Sequence, residues 1–339
     1  HFLLVRECGP VREEKMEQHP LTDFFDQKVQ KTTGKNNRTI YKMNNETGEG
    51  IITQYIILPG IQFFYNDFHM SNGQNQNKLP HADVLELNHC REGRFECRFA
   101  NGTYQYIGSG DLAINLLSNQ TVSTSFPLSH YHGISITIDL QKADSVIRKI
   151  GEMTGGLDID LFSIANGFCK NGTCAVIRNQ NKINHIFSEL YCTKPYMHAS
   201  YLKVKVLDLL LYLGTEKVQN TQVKVPDFAL TQVKKVKEIQ KYMVSNLRQH
   251  YTLEQLSEQF DIPLTSMKAC FKGVFGCSIY AYIKSYRMQA ATVLLQNSDC
   301  SITEIAMKMG YDNPSKFSEV FKKEYEMTPS EFRKKYIKA

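Results

Sequence analysis

The chain has 339 residues, yet no apolar run in it nears the ~20 that a membrane-spanning helix needs. The longest, VLDLLLYL at 206–213, is short and carries Asp208. The opening HFLLVRECGP has no basic start, no sustained apolar core and no small-residue cleavage site, so it is not expected to act as a secretory leader. The nine cysteines are odd in number and include no Cys-x-x-Cys. That pattern argues against a disulfide framework and for reduced thiols in a cytoplasmic protein with no membrane partner. On that expectation the Asn-x-Thr triplets at Asn101 and Asn171 are not glycan acceptors.

An excess of one charge is also missing from most of the chain. Residues 1–228 balance at 23 basic and 23 acidic side chains, whereas residues 229–339 hold 17 Lys and Arg against 11 Asp and Glu. The whole formal charge of +6 therefore sits on the last third. A basic region beside a neutral one points to a polyanionic partner. A hydrophobic content of 42% and a charged content of 22% are ordinary for globular proteins, and the length suffices for two domains with separate cores.

The first fifty residues read as a polar N-terminal region. From 51 to about 139 the pattern predicts short strands. IITQYIIL (51–58) and IQFFYNDFHM (61–70) are β-branched and aromatic, with Pro59-Gly60 between them. VLELNHC (84–90) and the alternating RFECRF (94–99) read as two further strands, and Asn101-Gly102 as a hairpin turn. TYQYI, LAINLL and GISITIDL follow, so that the segment reads as a β-sandwich or small barrel. Helices are expected near 141–153, 158–166, 181–191 and 198–213. In the last, Leu202, Val206, Leu209, Leu210 and Leu213 form an apolar stripe for the β-domain or a second copy of the chain. Residues 214–228 are polar and aperiodic, and read as a linker.

The remainder, 229–339, is helical in pattern and contains one unit twice. The first copy starts at Leu253 and the second at Ile302; aligning Phe271 with Phe321 brings Met267 onto Phe317 and Tyr282 onto Phe332. Each copy is a helix-turn-helix: a short helix with a small residue near its middle (Ser257, Ala306), a tight turn, and a second helix. Thr252 and Ser301 stand at the N-cap positions, followed by polar or acidic first-turn residues. Residues 278–298 read as one long connecting helix with a stripe of Tyr282, Tyr286, Ala290, Val293 and Leu294. Phe271, Phe317, Phe321, Tyr282 and Phe332 are the expected core.

Arg287, Ala291, Leu294 and Leu295, the run from Ile302 to Lys323 (ITEIAMKMGYDNPSKFSEVFKK), and TPSEFR at 328–333 together resemble the DNA-binding domain of the AraC/XylS family of transcription regulators. The resemblance covers about 231–337, a third of the chain. One departure is Glu326, where the family usually carries glycine two residues before the Thr-Pro pair. The resemblance implies an α+β multidomain protein: a cupin-like effector-binding and dimerisation domain at 51–213 and a double helix-turn-helix domain at 229–339. It also implies double-stranded DNA as partner, a small-molecule effector, a homodimer, and RNA polymerase if the protein activates. It implies neither enzymatic activity nor a cofactor.

By position in the motif, base-edge contacts are expected from Thr265, Lys268, Ala269 and Lys272 in the first reading helix. In the second they are expected from Ser315, Lys316, Ser318 and Glu319. Lys322, Lys323, Arg333, Lys334 and Lys335 are expected on phosphates. An effector is expected among the strand residues Phe63, Tyr65, Phe68, His89, Arg91, Phe95 and Tyr131, where an arginine would suit an acidic ligand. The alternative is a cupin-type metal sensor or enzyme fused to the DNA module. It has weak ligand candidates: His89, and His130 with His132, which share a strand face without a suitably spaced Glu. Cys169-x4-Cys174 lacks zinc-knuckle spacing, and no four-cysteine zinc set is present to activate a thiolate.

Overall fold

In the computed structural model of the chain, residues 30–33, 38–73, 83–119, 121–170, 174–192, 198–215 and 228–336 are described. The described part of the N-terminal half is an antiparallel sheet covered by helices; the C-terminal part is helical. The strands are β1 (Gln30–Thr33), β2 (Arg38–Asn45), β3 (Gly48–Leu58), β4 (Ile61–His69), β5 (Val84–Phe99), β6 (Tyr104–Gly108), β7 (Leu112–Leu116), β8 (Thr121–Ser125), β9 (Tyr131–Asp139) and β10 (Ala175–Ile177). The main sheet runs β1-β2-β3-β4-β9-β5-β7-β10, while β6 and β8 pair with the far end of β5. Strands β1 and β2 thus extend the sheet into the first fifty residues. Their signal was hidden because only Tyr41 of β2 is fully buried and the rest is half-buried or exposed.

The two segments expected as separate strands at 84–90 and 94–99 form one 16-residue strand. Its pairing with β9 slips between Cys90 and Glu92. Gly93 sits there at φ +81°, a conformation glycine adopts at little cost, and a Cβ would meet the His130 carbonyl oxygen. The bulge bends β5, so that its first half belongs to the main sheet and its second half to the β6–β8 flap.

Strand alternation gives the sheet two different faces. Phe63, Leu85, Leu87, Ile114, Ile134, Ile136 and Ile138 pack beneath four helices: α1 (Leu140–Thr154), α2 (Leu161–Phe168), α3 (Asn181–Tyr191) and α4 (His198–Leu213). The α4 stripe of Leu202, Val206, Leu209, Leu210 and Leu213 is fully buried in this core. It covers the sheet within one chain and leaves that stripe no area for a second copy; the exposed apolar side chains of α4 are Val204 and Leu211. The opposite sheet face is polar and aromatic and encloses a cavity.

Residues 216–227, most of the expected linker, lie outside the described residues. The helical part comprises α5 (Leu230–Ser245), α6 (Leu253–Gln259), α7 (Leu264–Phe275), α8 (Ile279–Asn297), α9 (Ile302–Lys308), α10 (Pro314–Tyr325) and α11 (Pro329–Tyr336). It holds two cores. Met267, Phe271 and Tyr282 are buried in the first, with Val233, Val236 and Ile239 of α5; Phe317, Phe321 and Phe332 are buried in the second. The connecting helix α8 does not present the single stripe read from its sequence. Its N-terminal part buries Ile279 and Tyr282 in the first core, and its C-terminal part buries Met288, Ala291 and Leu295 in the second, leaving Val293 exposed. A helix that serves two units must change its buried face along its length.

Candidate nucleic-acid interface and ligand cavity

Both helix-turn-helix units start from the same local device. Thr252 Oγ1 accepts from the Gln255 N–H while the Gln255 side chain accepts from the Thr252 N–H; Ser301 and Glu304 repeat this reciprocal capping box. The tight turn of the second unit relies on Gly310 at φ +77°, where a Cβ would lie 2.8 Å from the Leu247 carbonyl oxygen. Asn313 then caps α10 by accepting from the Ser315 and Lys316 N–H groups, and Pro314 occupies the first turn, where it forfeits no helical hydrogen bond.

With the apolar positions turned inward, Thr265, Lys268, Ala269 and Lys272 of α7 are all exposed. On α10, Ser315, Lys316, Glu319, Lys322 and Lys323 are exposed as well. Ser318 is half-buried, and its hydroxyl donates to the Pro314 carbonyl at 2.9 Å, so it is already engaged within its own helix. Lys316 and Glu319 pair at 3.0 Å in the open, a contact that water and salt weaken and a ligand can readily displace. Arg333, expected on a phosphate, is half-buried and has a partner within the protein. Its guanidinium donates to the Cys300 carbonyl at 2.5 Å and so ties α11 to the loop before α9. Arg287 has a comparable internal role: it is buried on α8 and donates to the Gln249 carbonyl at 2.7 Å.

The β-domain holds a cavity of about 350 Å³ on the polar face of the sheet. Of the seven strand residues expected around an effector, Phe68, Phe95 and Tyr131 line it. Phe63, Tyr65 and His89 belong to the other face, since they alternate with cavity residues along their strands. Phe63 and Tyr65 pack against the helix-covered core, with the Tyr65 hydroxyl donating to the Leu190 carbonyl. His89 stacks on Phe187 with ring centroids 4.0 Å apart, and burial pushes its imidazole down to about 4. It is a neutral core histidine. Arg91 is exposed, with its guanidinium over the Tyr191 ring, and does not reach the cavity.

The cavity residues that sequence reasoning missed include polar ones, among them Asn66, Glu86, Asn88, Gln105, Asn115 and Thr137. Their signal was available in VLELNHC, where Glu86 and Asn88 alternate with Leu85 and Leu87 and so had to share the face opposite the apolar one. His132 and His69 both lie 3.0 Å from the Asp67 carboxylate, near the ends of the neighbouring strands β9 and β4. Among the described residues no three His, Cys, Asp or Glu side chains assemble into a metal-ligand group. All eight described cysteines are free thiols; burial pushes Cys97 up to about 12 and raises Cys174 as well.

The cavity and α7 meet through one strand. In the second half of β5, Phe95, Cys97 and Phe99 line the cavity. The alternate residues Arg94 and Glu96 face the helical domain. Arg94 Nε donates to the Val274 carbonyl at 2.7 Å, and its Nη2 donates to that of Gly273, so the guanidinium caps the C-terminal turn of α7. Lys237 of α5 pairs with the buried Glu96 carboxylate at 2.6 Å. The neighbouring strand β6 alternates in the same way: Gln105 lines the cavity while Tyr104 and Tyr106 are buried in the first helical core.

Comparison with known proteins bears on the helical part. A helix-turn-helix domain family matches residues 256–335. The regulator ExsA of Pseudomonas aeruginosa is 35% identical over 98 residues, 29% of this chain and 35% of ExsA. The lactose operon transcription activator of Staphylococcus xylosus is 32% identical over 120 residues, 34% of this chain and 43% of that protein. The chain thus spans less than half the length of both. Among solved structures, the C-terminal domain of AraT, a response regulator from Geobacillus stearothermophilus, aligns with 31% of this chain and 88% of that domain, at 27% identity and a TM-score of 0.30.

Proposed function

We propose, from the membership of residues 256–335 in the AraC-type helix-turn-helix family, that the chain is a sequence-specific, DNA-binding transcription regulator whose β-domain holds a small effector. The observation that carries this reading is the repetition of one exposed, polar helix face on α7 and α10. A helix of this size fits the major groove, and successive groove faces on one side of B-DNA lie ~34 Å apart. The 19-residue α8 spans roughly 28 Å at 1.5 Å per residue, long enough to hold two units near that repeat. Lys268, Lys272 and Lys316 supply donors suited to guanine, Glu319 an acceptor suited to cytosine, and Lys322 and Lys323 charge for phosphates.

The β-domain would act on the DNA-binding part through Arg94 and Lys237, which join it to α7 and α5. The experiment is a salt titration of the full chain on duplex DNA, followed by fluorescence anisotropy. Affinity should fall steeply and log-linearly with salt, because each neutralised phosphate releases counterions. A flat dependence would sink the DNA reading.

A further inference from the structure

The described walls of the cavity hold a single charged side chain, that of Glu86. It sits near the start of β5, opposite Thr137 of β9 on one side and Asn115 of β7 on the other. The residue is half-buried and lines the cavity. Its neighbours are satisfied among themselves. Tyr131 donates to Asn88 at 2.6 Å, Asn66 donates to Ser135 at 2.8 Å, and Asn115 accepts from Asn119 at 3.2 Å. The Glu86 carboxyl takes part in no hydrogen bond or ion pair among the described residues.

A second feature lines the same cavity. Phe68, Phe126 and Tyr131 stack with centroids 4.7 to 6.3 Å apart, and Phe95 leans on the last two, which makes one aromatic wall. The faces of such rings attract cations and offer nothing to anions. A carboxylate ligand would meet Glu86 with no cation on the described walls to offset it. A ligand carrying positive charge meets an unpaired carboxylate at one end and ring faces along its body.

We propose that this cavity binds a small organic cation, a protonated amine on an apolar or aromatic body, with the Glu86 carboxylate as its counter-ion. The inference rests on the effector reading of the β-domain and adds the ligand's chemical class. It also excludes the acidic effector that Arg91 would have suited. Burial lifts the Glu86 carboxyl to about 7, because no partner stabilises its charged form. The other titratable groups on the described cavity wall are Cys97 of β5, Tyr131 of β9 and Cys174 ahead of β10. All three are pushed up by burial and stay neutral between pH 6 and 8. Binding therefore follows the ionisation of Glu86 in that range. An amine that remains protonated throughout should bind about tenfold more weakly at pH 6 than at pH 8, because the ionised fraction of a group titrating at 7 falls about tenfold.

The test is a thermal-shift and calorimetric titration of the full chain with two sets of matched probes: phenethylamine, 2-phenylethanol and phenylacetate, and hexylamine, hexanol and hexanoate. At least one amine should raise Tm while its alcohol and acid do not. Its Kd should weaken about tenfold on going to pH 6. Glu86→Gln, which keeps the side chain's shape, should weaken the amine at least tenfold and abolish its pH dependence. The wild-type pH profile stands as a test even if that variant misfolds. Equal or greater stabilisation by an alcohol or an acid would overturn the cation assignment and leave a ligand pocket in place. No shift from any probe would overturn the pocket's role as well, whereas the salt titration tests the DNA reading separately.

Discussion

Arg94 and Val274 stand 180 residues apart in the chain, yet the guanidinium of the first donates to the carbonyl of the second at 2.7 Å. The contact joins a strand that lines the cavity to the last turn of α7. Arg94→Ala strips a charged donor from the buried carbonyls of Gly273 and Val274, which should cost about 2 kcal/mol. Thermal denaturation would read the loss, and hydrogen exchange should quicken at the C-terminal end of α7. Unchanged exchange there would mean that the two parts are not coupled through this residue.

Lysines on the reading helices should divide into two kinds. Lys268→Ala should cost ~1–3 kcal/mol on the preferred duplex and relax preference at one base pair, while Lys322→Ala should weaken all sequences alike and lower the salt slope by about one. Binding to a panel of single-base operator variants separates the two. A uniform loss for Lys268→Ala would make it a phosphate contact.

Glu326 closes α10 in the left-handed conformation, at φ 59°. A residue with a Cβ pays roughly 1–2 kcal/mol there, and glycine gives part of that back through its looser unfolded state. Glu326→Gly should therefore stabilise the protein by about 1 kcal/mol, visible as a higher Tm. A fall in Tm would show that the Glu326 side chain contributes more than its backbone costs.

The capping box of α9 should make its helix pH-sensitive in the acid range. The Ser301 backbone N–H and then its hydroxyl hold the Glu304 carboxyl below its usual value. A depressed carboxyl stabilises the fold above its unfolded value of about 4.5 and loses that contribution as pH falls through the folded value. Ser301→Ala should lower Tm at neutral pH and flatten part of this acid-side loss. Parallel Tm curves for the two proteins between pH 6 and 3 would remove Glu304 from the account.

The helical part was legible because its signal repeats. Phe271 and Phe321, Met267 and Phe317, and the two capping boxes recur at matching spacing, and the buried positions follow the same periodicity. The long helix between the units was legible in extent but not in facing. A single stripe assumes one core, and Ile279 and Leu295 belong to different ones. The β-domain yielded its strands where one face is apolar, as in β4 and β9, and hid them where neither is, as in β8 with TVSTS. Aromatic content alone could not separate Phe63 from Phe95, because one face of the sheet supports helices and the other surrounds a cavity. The contact of Arg94 with α7 depends on how two distant segments pack, and no local pattern encodes it.

The far half of β5 presents its odd-numbered side chains to the cavity and Arg94 and Glu96 to the helical domain. Six consecutive residues thus serve as both socket and hinge plate. Neither role can be redesigned alone. Widening the socket at Phe95 or Phe99 to admit a bulkier compound would shift the same backbone that holds α7. Variants selected for a new ligand at these positions should therefore arrive with altered resting activity, and second changes at Arg94, Glu96 or Lys237 are where compensation should be sought.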